Sequence, residues 1–423
     1  MVSVSVHSHR AWFSLCFTSF LLTGDYYEKE LNPGEAVKIM TGAPVPASAD
    51  TVIEIEKVKA EKDTIIIESP VKKGSNIIFK GEVMKKITLA VCILGASTLF
   101  ASSSLVTKAK QSGLEAIPAS KVELMKLIDD KKDPITKEKV ELGKKLYFDP
   151  RLSKSGLISC NTCHNLGLGG ADGIPAAIGH GWTANPHHLN SPTVYNSVFF
   201  KAQFWDGRSP HLADQAQGPV QAGPEMAAPA PLVEQRINSI PEYVDEFKVA
   251  YGKDVKIDFA TITKTIATFE KTLVTPSKFD DFLNGKEKAL TAEEKKGLTL
   301  FIDKGCTSCH TGIALGGTMQ PFEVASKYKF TNVGDFKGDE KGMVKTPTLR
   351  NITETAPYFH NGQIWSLNEA VKEMGSVQLG IEISDAEAAQ IVTFLKTLKG
   401  TKPAISYPQL PESSIETSKP EFN

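Results

Sequence analysis

The stretch SCNTCHNLGLGG, residues 159–170, decides what kind of fold this chain adopts, and the stretch GCTSCHTGIALGG, residues 305–317, repeats its pattern. Both contain Cys-x-x-Cys-His. Two thiols and an imidazole this close together indicate a metal site, a thiol–disulfide exchange pair or a covalently held cofactor. The neighbouring sequence discriminates between these three.

The similarity between the two stretches extends upstream and indicates a duplicated domain. An amphipathic pattern predicts a helix that runs into each motif, at about residues 136–148 and about residues 292–303. The corresponding residues are Gly143, Leu146 and Asp149 in the first copy and Gly297, Leu300 and Asp303 in the second.

Haem attachment is the interpretation that uses every residue of both motifs. A thioredoxin-like dithiol needs a βαβ context, which is missing, and would not require the histidine twice. A zinc site needs four ligands, and each cluster has three. In c-type haem attachment the two thiols bind the vinyl groups and the histidine binds the iron. We therefore predict two covalently bound c-type haems, one held by Cys160, Cys163 and His164 and the other by Cys306, Cys309 and His310.

The composition fits a globular chain of several domains without a nucleic-acid partner. Of its 423 residues, 41% are hydrophobic and 23% charged, which allows two or three domains. The 48 basic and 49 acidic residues leave a formal net charge of -1. Because nucleic-acid binding usually leaves an excess of basic residues, no such partner is expected.

A segment inside the chain has the layout of a secretory signal. From Met84 the sequence reads MKKITLAVCILGASTLFASSS, with two lysines, an apolar run over residues 87–100 and small residues at its end. This order is typical of a signal peptide, and the run is shorter than the ~20 residues of a membrane span. We predict that residues 84–103 are the signal peptide of a protein exported to the periplasm, without a stable membrane span.

Residues 1–83 precede Met84, the first residue of the predicted signal peptide. The segments LNPGEAVKIMTGAPVPASADTVIEIEKV, residues 31–58, and VKKGSNIIFKGEV, residues 71–83, predict short strands joined by Gly and Pro turns. They resemble part of the molybdopterin molybdotransferase family, whose catalytic domain is missing. We interpret residues 1–83 as an upstream gene fragment or as the result of a misplaced start codon.

Five further stretches resemble the bacterial dihaem cytochrome c peroxidase family, and the likeness spans roughly residues 118–399. They are IGHGW, NSPTVYNSVFFKAQFWDGR, QAQGPVQAGPEM, KTPTLRNITETAPYFHNG and LNEAVKEMGSVQLG. The resemblance implies a mostly α-helical chain with two cytochrome c-like domains. The peroxidatic haem domain is expected at residues 104–275 and the electron-transferring haem domain at residues 276–400. The tail, residues 401–423, is expected to pack on the first domain.

The resemblance also implies roles for single residues. His180 corresponds to the removable second ligand of the first haem, and Met374 to the second ligand of the second haem. Trp205 corresponds to the aromatic residue between the haems, and Gln215 and Glu225 to the distal groups of the peroxide site. The residues that correspond to the ligands of a calcium ion are Asn190, Thr355 and Pro357.

Without the resemblance, the residues leave several of these roles open. Trp205 also fits plain core packing, and Glu225 also fits a solvated loop. Asn361, in YFHNG, stands where the family usually has an aspartate, which is expected to change the hydrogen bonding near His360 more than the chemistry. The other histidines and methionines that qualify as ligands by their chemistry are His187, His188, His211, His360, Met125, Met226, Met319 and Met343.

The implied function is the reduction of hydrogen peroxide to water, with electrons from a small periplasmic cytochrome c or a copper protein (a cupredoxin). The resemblance also implies a homodimer. Two alternatives stay open. A related oxidase that modifies a protein tryptophan cofactor has a tyrosine in place of the methionine, and Met374 argues against it. A dihaem electron carrier without enzymatic activity needs neither Glu225 nor a removable His180.

Overall fold

The structure is a computed structural model of the chain. It describes residues 104–422 and, between residues 2 and 67, the backbone of a group of strands. The predicted signal peptide, residues 84–103, lies outside the described residues. The chain divides into two compact units, residues 1–100 and residues 101–423.

The described part of the first unit is a six-stranded sheet. Its order is β4-β1-β3-β2-β6-β5, with β2 and β3 parallel and the other neighbours antiparallel. This agrees with the β-rich character predicted for this part of the sequence. The strands are β1 (Val2–Val4), β2 (Phe13–Leu21), β3 (Glu35–Ile39), β4 (Thr51–Ile53), β5 (Val58–Glu61) and β6 (Thr64–Ile67).

The second unit is mostly helical, which confirms the predicted fold class. A short antiparallel pair of strands, β7 (Met319–Pro321) and β8 (Met343–Lys345), interrupts the helices. The α-helices are α1 (Leu105–Gln111), α2 (Lys121–Ile128), α3 (Lys137–Phe148), α4 (Cys160–Cys163), α5 (Leu212–Gln215), α6 (Gln217–Gln221), α7 (Ala230–Asn238), α8 (Pro241–Tyr251), α9 (Phe259–Glu270), α10 (Lys278–Leu283), α11 (Ala292–Asp303), α12 (Leu367–Met374) and α13 (Asp385–Leu395).

The two helices predicted before the cysteine motifs are confirmed as α3 and α11. Each begins at a threonine N-cap whose side-chain oxygen accepts a backbone N–H three residues on, a bond of 3.3 Å both at Thr136 and at Thr291. Thr291 also forms a capping box with Glu294. Such caps satisfy N–H groups that have no partner within the helix.

The matched glycines explain how each copy packs. Helix α3 lies against α9, and α11 lies against α13. A Cβ atom at Gly143 would lie 2.2 Å from the carbonyl oxygen of Thr265, and one at Gly297 would lie 2.3 Å from that of Gln390. Because no larger residue fits at either crossing, the repeated glycine sets the same helix pairing next to both cysteine motifs. The duplication seen in the sequence is therefore also a duplication of packing.

Two hydrophobic cores surround these helix pairs. The first includes Tyr147, Phe247 and Phe269, and the second includes Phe279, Phe301 and Phe394, together with further aliphatic residues of each copy. The change from one core to the other falls between Leu273 and Phe279, close to the predicted boundary at residues 275 and 276.

Helix α1 differs from the predicted domain layout. It precedes the first cysteine motif in the chain, yet Ala109 and Leu114 belong to the second core. The backbone N–H of Ile117 donates to Asp280 (2.8 Å), and that of Gly312 donates to the carbonyl of Gly113 (2.7 Å). The apolar face of this short helix is covered by the second copy, so the segment before residue 118 packs with the C-terminal part of the chain.

The tail lies against the first core. The guanidinium of Arg236, which is 1% exposed, donates to the carbonyl oxygens of Ser418 and Lys419. Arg151 donates to the carbonyl of Pro411 (2.8 Å), and the Tyr407 ring packs edge-on against the ring of Phe148 in this core. These bonds tie tail residues, which have no helix or strand structure, to Arg236 of helix α7 and to Arg151. In the described part of the chain, no helix has both the length and the apolar character needed to cross a bilayer.

Candidate haem sites

The histidines of both motifs are held in the same way. His164 is the C-cap of helix α4, and its Nδ1 lies 2.9 Å from the carbonyl oxygen of Pro192. Nδ1 of His310 lies 3.1 Å from the carbonyl oxygen of Leu315. Because a carbonyl oxygen can only accept, Nδ1 carries the proton in each ring and Nε2 keeps its lone pair. This is the tautomer that an Nε2 metal ligand requires, with the outer hydrogen bond that usually orients it.

Burial keeps both of these imidazoles neutral. It lowers the pKa of His164 and lowers that of His310 to about 4. A neutral imidazole is the form that binds a metal, whereas a protonated one has no lone pair to donate.

The four cysteines of the motifs are partly buried and none of them forms a disulfide. Burial raises the pKa of Cys163 to about 12 and that of Cys306 to about 11. These values leave the thiols protonated at neutral pH, unlike the low-pKa thiolate of a disulfide oxidoreductase. The donor set of two thiols and one Nε2 in each copy therefore fits a covalently attached haem.

Each motif opens onto a cavity. The first cavity is lined by Cys163 and His164 and by residues of helices α5 and α9. The second cavity is lined by Cys306, Cys309 and His310. Each cavity therefore has thiol and imidazole donors of one motif in its wall.

Met374 is the methionine that meets the second cavity. It ends helix α12 and lines this cavity together with His310. Met319 and Met343 lie on the short strands β7 and β8, and Met226 is buried in the first core. None of these three is among the described residues that line the second cavity.

Gln215 and Glu225 both line the first cavity, as His164 does. Burial raises the pKa of Glu225, and the positive charges of Arg208 and His187 oppose the rise. A carboxyl group whose pKa is shifted towards neutrality is suited to general acid–base work.

His180 lies next to Glu225 without lining the first cavity. Its backbone N–H donates to the carbonyl of Glu225 (2.7 Å), and a Cβ atom at Gly179 would lie 2.0 Å from the carbonyl oxygen of Pro224. The ring Nδ1 is buried without a hydrogen-bond partner in the described part of the chain. In contrast to His164 and His310, this imidazole is therefore not oriented through Nδ1.

The two cavities share a wall. Trp205, 9% exposed, lines both of them and donates its indole N–H to the carbonyl of Asn190 (2.9 Å). Its own carbonyl accepts the backbone N–H of Lys345 (2.7 Å). The residues that line both cavities are Asn190, Ser191, Pro192, Thr193, Phe200, Trp205 and Lys345.

The three residues expected to hold calcium all line the second cavity. The side-chain amide of Asn190 donates to the carbonyl of Ile174 (2.9 Å), which leaves its Oδ1 as an acceptor. Thr355 and Pro357 contribute to the same cavity from the segment that follows the stretch Ile352–Glu354.

The remaining histidines have other partners. His187 pairs with Asp335 (2.9 Å), His188 bonds Gln363 (3.0 Å), and His211 accepts a backbone N–H at the start of helix α5. The buried ring of His360 lies among aromatic rings, and burial lowers its pKa to about 4. None of the four is among the described residues that line either cavity.

Asn361, next to His360, uses its amide in a way that an aspartate could not. Its Nδ2 donates to the carbonyls of Phe330 (2.9 Å) and Val333 (3.3 Å), and its Oδ1 accepts the hydroxyl of Tyr328 (3.1 Å). An ionised carboxylate has no N–H to donate to the two carbonyls.

Two buried ionisable residues that line the cavities, Glu270 and Lys345, were not predicted from the sequence. Glu270 ends helix α9 and lines the first cavity, and burial raises its pKa to about 8. The signal for it is the single acid of the helix FATITKTIATFE. Lys345 lines both cavities, and it is the first residue of the stretch KTPTLRNITETAPYFHNG that carries the family likeness.

The chain is similar to known proteins both in sequence and in structure. Residues 137–288 match the family described as di-haem cytochrome c peroxidase, residues 294–399 match cytochrome c, and residues 9–93 match the MoeA N-terminal region (domain I and II). The cytochrome c551 peroxidase of Pseudomonas aeruginosa is 48% identical over 299 residues, which are 68% of this chain and 86% of that protein.

Two further relatives extend the likeness. The cytochrome c551 peroxidase of Nitrosomonas europaea is 41% identical over 345 residues, which are 80% of this chain and 98% of that protein. The crystal structure of a MauG-like protein associated with microbial copper homeostasis superimposes with a TM-score of 0.56 at 26% identity. The alignment covers 64% of this chain and 92% of that structure.

Proposed function

Because this chain belongs to the di-haem cytochrome c peroxidase family, we propose that it reduces hydrogen peroxide to water in the periplasm with electrons from a small cytochrome c or a cupredoxin. It is a cytochrome c peroxidase with two c-type haems. The observation that carries the proposed assignment of residues is the pair of cavities, each with a histidine whose Nδ1 bonds a carbonyl.

The two haems have different roles, one in receiving electrons and the other in reducing peroxide. A haem bound in each cavity would supply redox chemistry, namely electron uptake in one cavity and peroxide reduction in the other. His310 and Met374 provide an imidazole and a thioether in the second cavity, and a thioether raises the reduction potential. That cavity is therefore the electron-receiving one. The first cavity has His164 on one side and the polar pair Gln215 and Glu225, and it is the peroxide site.

Glu225 moves the proton in the first cavity. Its carboxylate accepts a proton from one oxygen of hydrogen peroxide and returns it to the other, so that the leaving oxygen departs as water. Two electrons and two further protons complete the reduction of one peroxide to two waters. Gln215 orients the peroxide by hydrogen bonding. Burial of Glu225 supports this role because it brings the carboxyl pKa closer to neutrality.

His180 controls access to the peroxide site, and Trp205 serves electron transfer between the two haems. We assign His180 as a residue that would hold the iron of the first haem reversibly, so that its side chain could give way to peroxide. The lack of an Nδ1 partner supports this, because nothing described in the structure orients the ring for permanent ligation. Trp205 lies in the wall that both cavities share and shortens the path between the two haems.

The remaining assignments concern the whole chain. We propose that residues 84–103 direct export, that residues 1–83 are not part of the exported protein and that the enzyme is a homodimer. We propose that the peroxidatic domain lies at residues 104–275, except for helix α1, which packs with the electron-transferring domain of residues 276–400, and that the tail, residues 401–423, belongs with the first domain.

Calcium is proposed to bind between the domains through oxygen atoms of Asn190, Thr355 and Pro357. Hard oxygen donors of this kind suit Ca²⁺. Thorough chelation is expected to lower peroxide turnover several-fold, and added Ca²⁺ should restore it, whereas Mg²⁺, which demands a smaller octahedral site, should not. Metal analysis and turnover are measured on the same sample. An unchanged rate in protein freed of calcium would contradict the site.

The test of the proposed function compares expression from Met84 with expression from Met1. Both should give an exported protein with the same N-terminus near Ser104, two haems per chain in the pyridine haemochrome spectrum, and peroxide turnover with a cytochrome or cupredoxin donor. Two haems without turnover would favour the electron carrier. N-terminal sequencing that finds residues 1–83 on the exported protein would overturn the misplaced-start interpretation.

A further inference from the structure

Lys345 is a buried lysine at the meeting point of the two cavities. It ends strand β8, and its side chain is only 3% exposed. Two backbone attachments hold it there: its N–H donates to the carbonyl of Trp205 (2.7 Å), and β8 pairs with β7 at Met319. The ammonium group is thus carried by a short, fixed strand into the wall that both cavities share.

The protein surrounds this ammonium with little negative charge. Its Nζ lies 4.8 Å from the centre of the Phe200 ring. The acid whose charge reaches it, Asp206, is already bonded at both oxygens by Arg208 (2.8 Å each). Within the described residues, no carboxylate lies within ion-pair distance of Lys345. Burying an ammonium without an anion is unfavourable, and burial accordingly lowers the pKa of Lys345 to about 7.

The lining of the second cavity also points to an anionic partner for Lys345. Its described lining is almost wholly apolar or uncharged, and Lys345 is the one Lys, Arg, Asp or Glu residue in it. The first cavity has Arg208 in addition to Lys345. A haem carries two propionate carboxylates, and a buried carboxylate needs a cation or several hydrogen bonds.

We propose that the ammonium of Lys345 binds a propionate of the haem in the second cavity and thereby raises the reduction potential of that haem. This rests on the haem placement proposed above and adds a positioning residue that the family likeness had not identified. Reduction makes the haem more negative by one charge, and a fixed cation beside it stabilises the reduced form. The pairing also keeps the propionate ionised, because a nearby cation lowers a carboxyl pKa.

The test compares three variants of the full holoenzyme: Lys345→Met, Lys345→Arg and the matched control Lys341→Met. Lys341 is exposed and lies on the same segment, so its removal changes the net charge equally but in a solvent-screened place. Haem content is measured first. The potential of the higher-potential haem is then followed by optical redox titration at several pH values.

Lys345→Met is expected to keep two haems and the parent's ligand spectra. At a fixed applied potential it should show at least a ~10-fold lower ratio of reduced to oxidised second haem, which is ~59 mV for one electron. Its potential should also depend on pH more steeply than the parent's, because the unpaired propionate takes up a proton on reduction. Lys345→Arg should retain most of the parent potential, and Lys341→Met nearly all of it.

A Lys345→Met enzyme with two haems and the parent's potential and pH slope would overturn the inference. If Lys345→Met fails to mature, redox-difference infrared spectroscopy of the parent with isotope-labelled propionates decides. The inference requires ionised propionates on the second haem at neutral pH, and a protonated carboxyl band there would contradict it. Failure of the proposed function is distinguishable from failure of this inference, because in that case the parent enzyme itself would lack haem or peroxide turnover.

Discussion

Glu225→Gln is expected to lower peroxide turnover by a factor of ~10² or more while both haem spectra stay close to those of the parent enzyme. Glutamine keeps the shape of the side chain and its place in the first cavity, but it cannot accept a proton from peroxide. Glu225 lines the first cavity together with Gln215 and His164, and Nδ1 of neither His164 nor His180 bonds its side chain, so the change is expected to leave the proposed iron ligands intact.

The pH dependence adds a second check on Glu225. Burial raises the pKa of this carboxyl, and the ionised form is the one that accepts the proton. Turnover in the parent should therefore fall as the pH drops through this pKa, and the acidic limb should be missing from the Glu225→Gln profile. Glu412→Gln, at an exposed glutamate of the tail, is the control and should behave as the parent. Turnover within a few-fold of the parent in Glu225→Gln would remove Glu225 from the proton path.

Met374→His is expected to prevent the donor from reducing the second haem. A thioether favours the reduced state of a haem, and a second imidazole removes that preference. The potential of the second haem is expected to fall by an amount on the order of a few hundred millivolts, within the ~0.8 V that axial ligands span. A mild donor then no longer reduces this haem, and turnover with it should collapse although His164, His180 and Glu225 are unchanged.

Redox titration followed by optical spectroscopy measures the Met374→His effect. Met343→Leu is the matched control, because Met343 lies on strand β8 and is not among the described residues that line the second cavity. It should leave the potential unchanged. If instead the higher-potential haem keeps its potential in Met374→His, Met374 is a packing residue and the ligand is Met319 or Met343.

The sequence by itself was sufficient for the features that depend on neighbouring residues. Two thiols and a histidine within five positions identify haem attachment without any knowledge of the fold, because the chemistry is contiguous. The helices before the motifs followed from apolar spacing and were confirmed at Lys137–Phe148 and Ala292–Asp303. Even the matched glycines, Gly143 and Gly297, were visible as a repeat, although the reason for them was not.

Only the tertiary structure decided what depends on residues far apart in the chain. Helix α1 joins the second core because its apolar face is covered there, which its position before the first motif does not reveal. The carbonyl groups that set the tautomers of His164 and His310 are backbone atoms, which carry no side-chain signal. Lys345 is one of 48 basic residues in the sequence, and it becomes distinctive only because folding buries it where the two cavities meet. Burial and, among the residues that the structure describes, the absence of a carboxylate within ion-pair distance are properties of the assembled wall, and no local pattern encodes them.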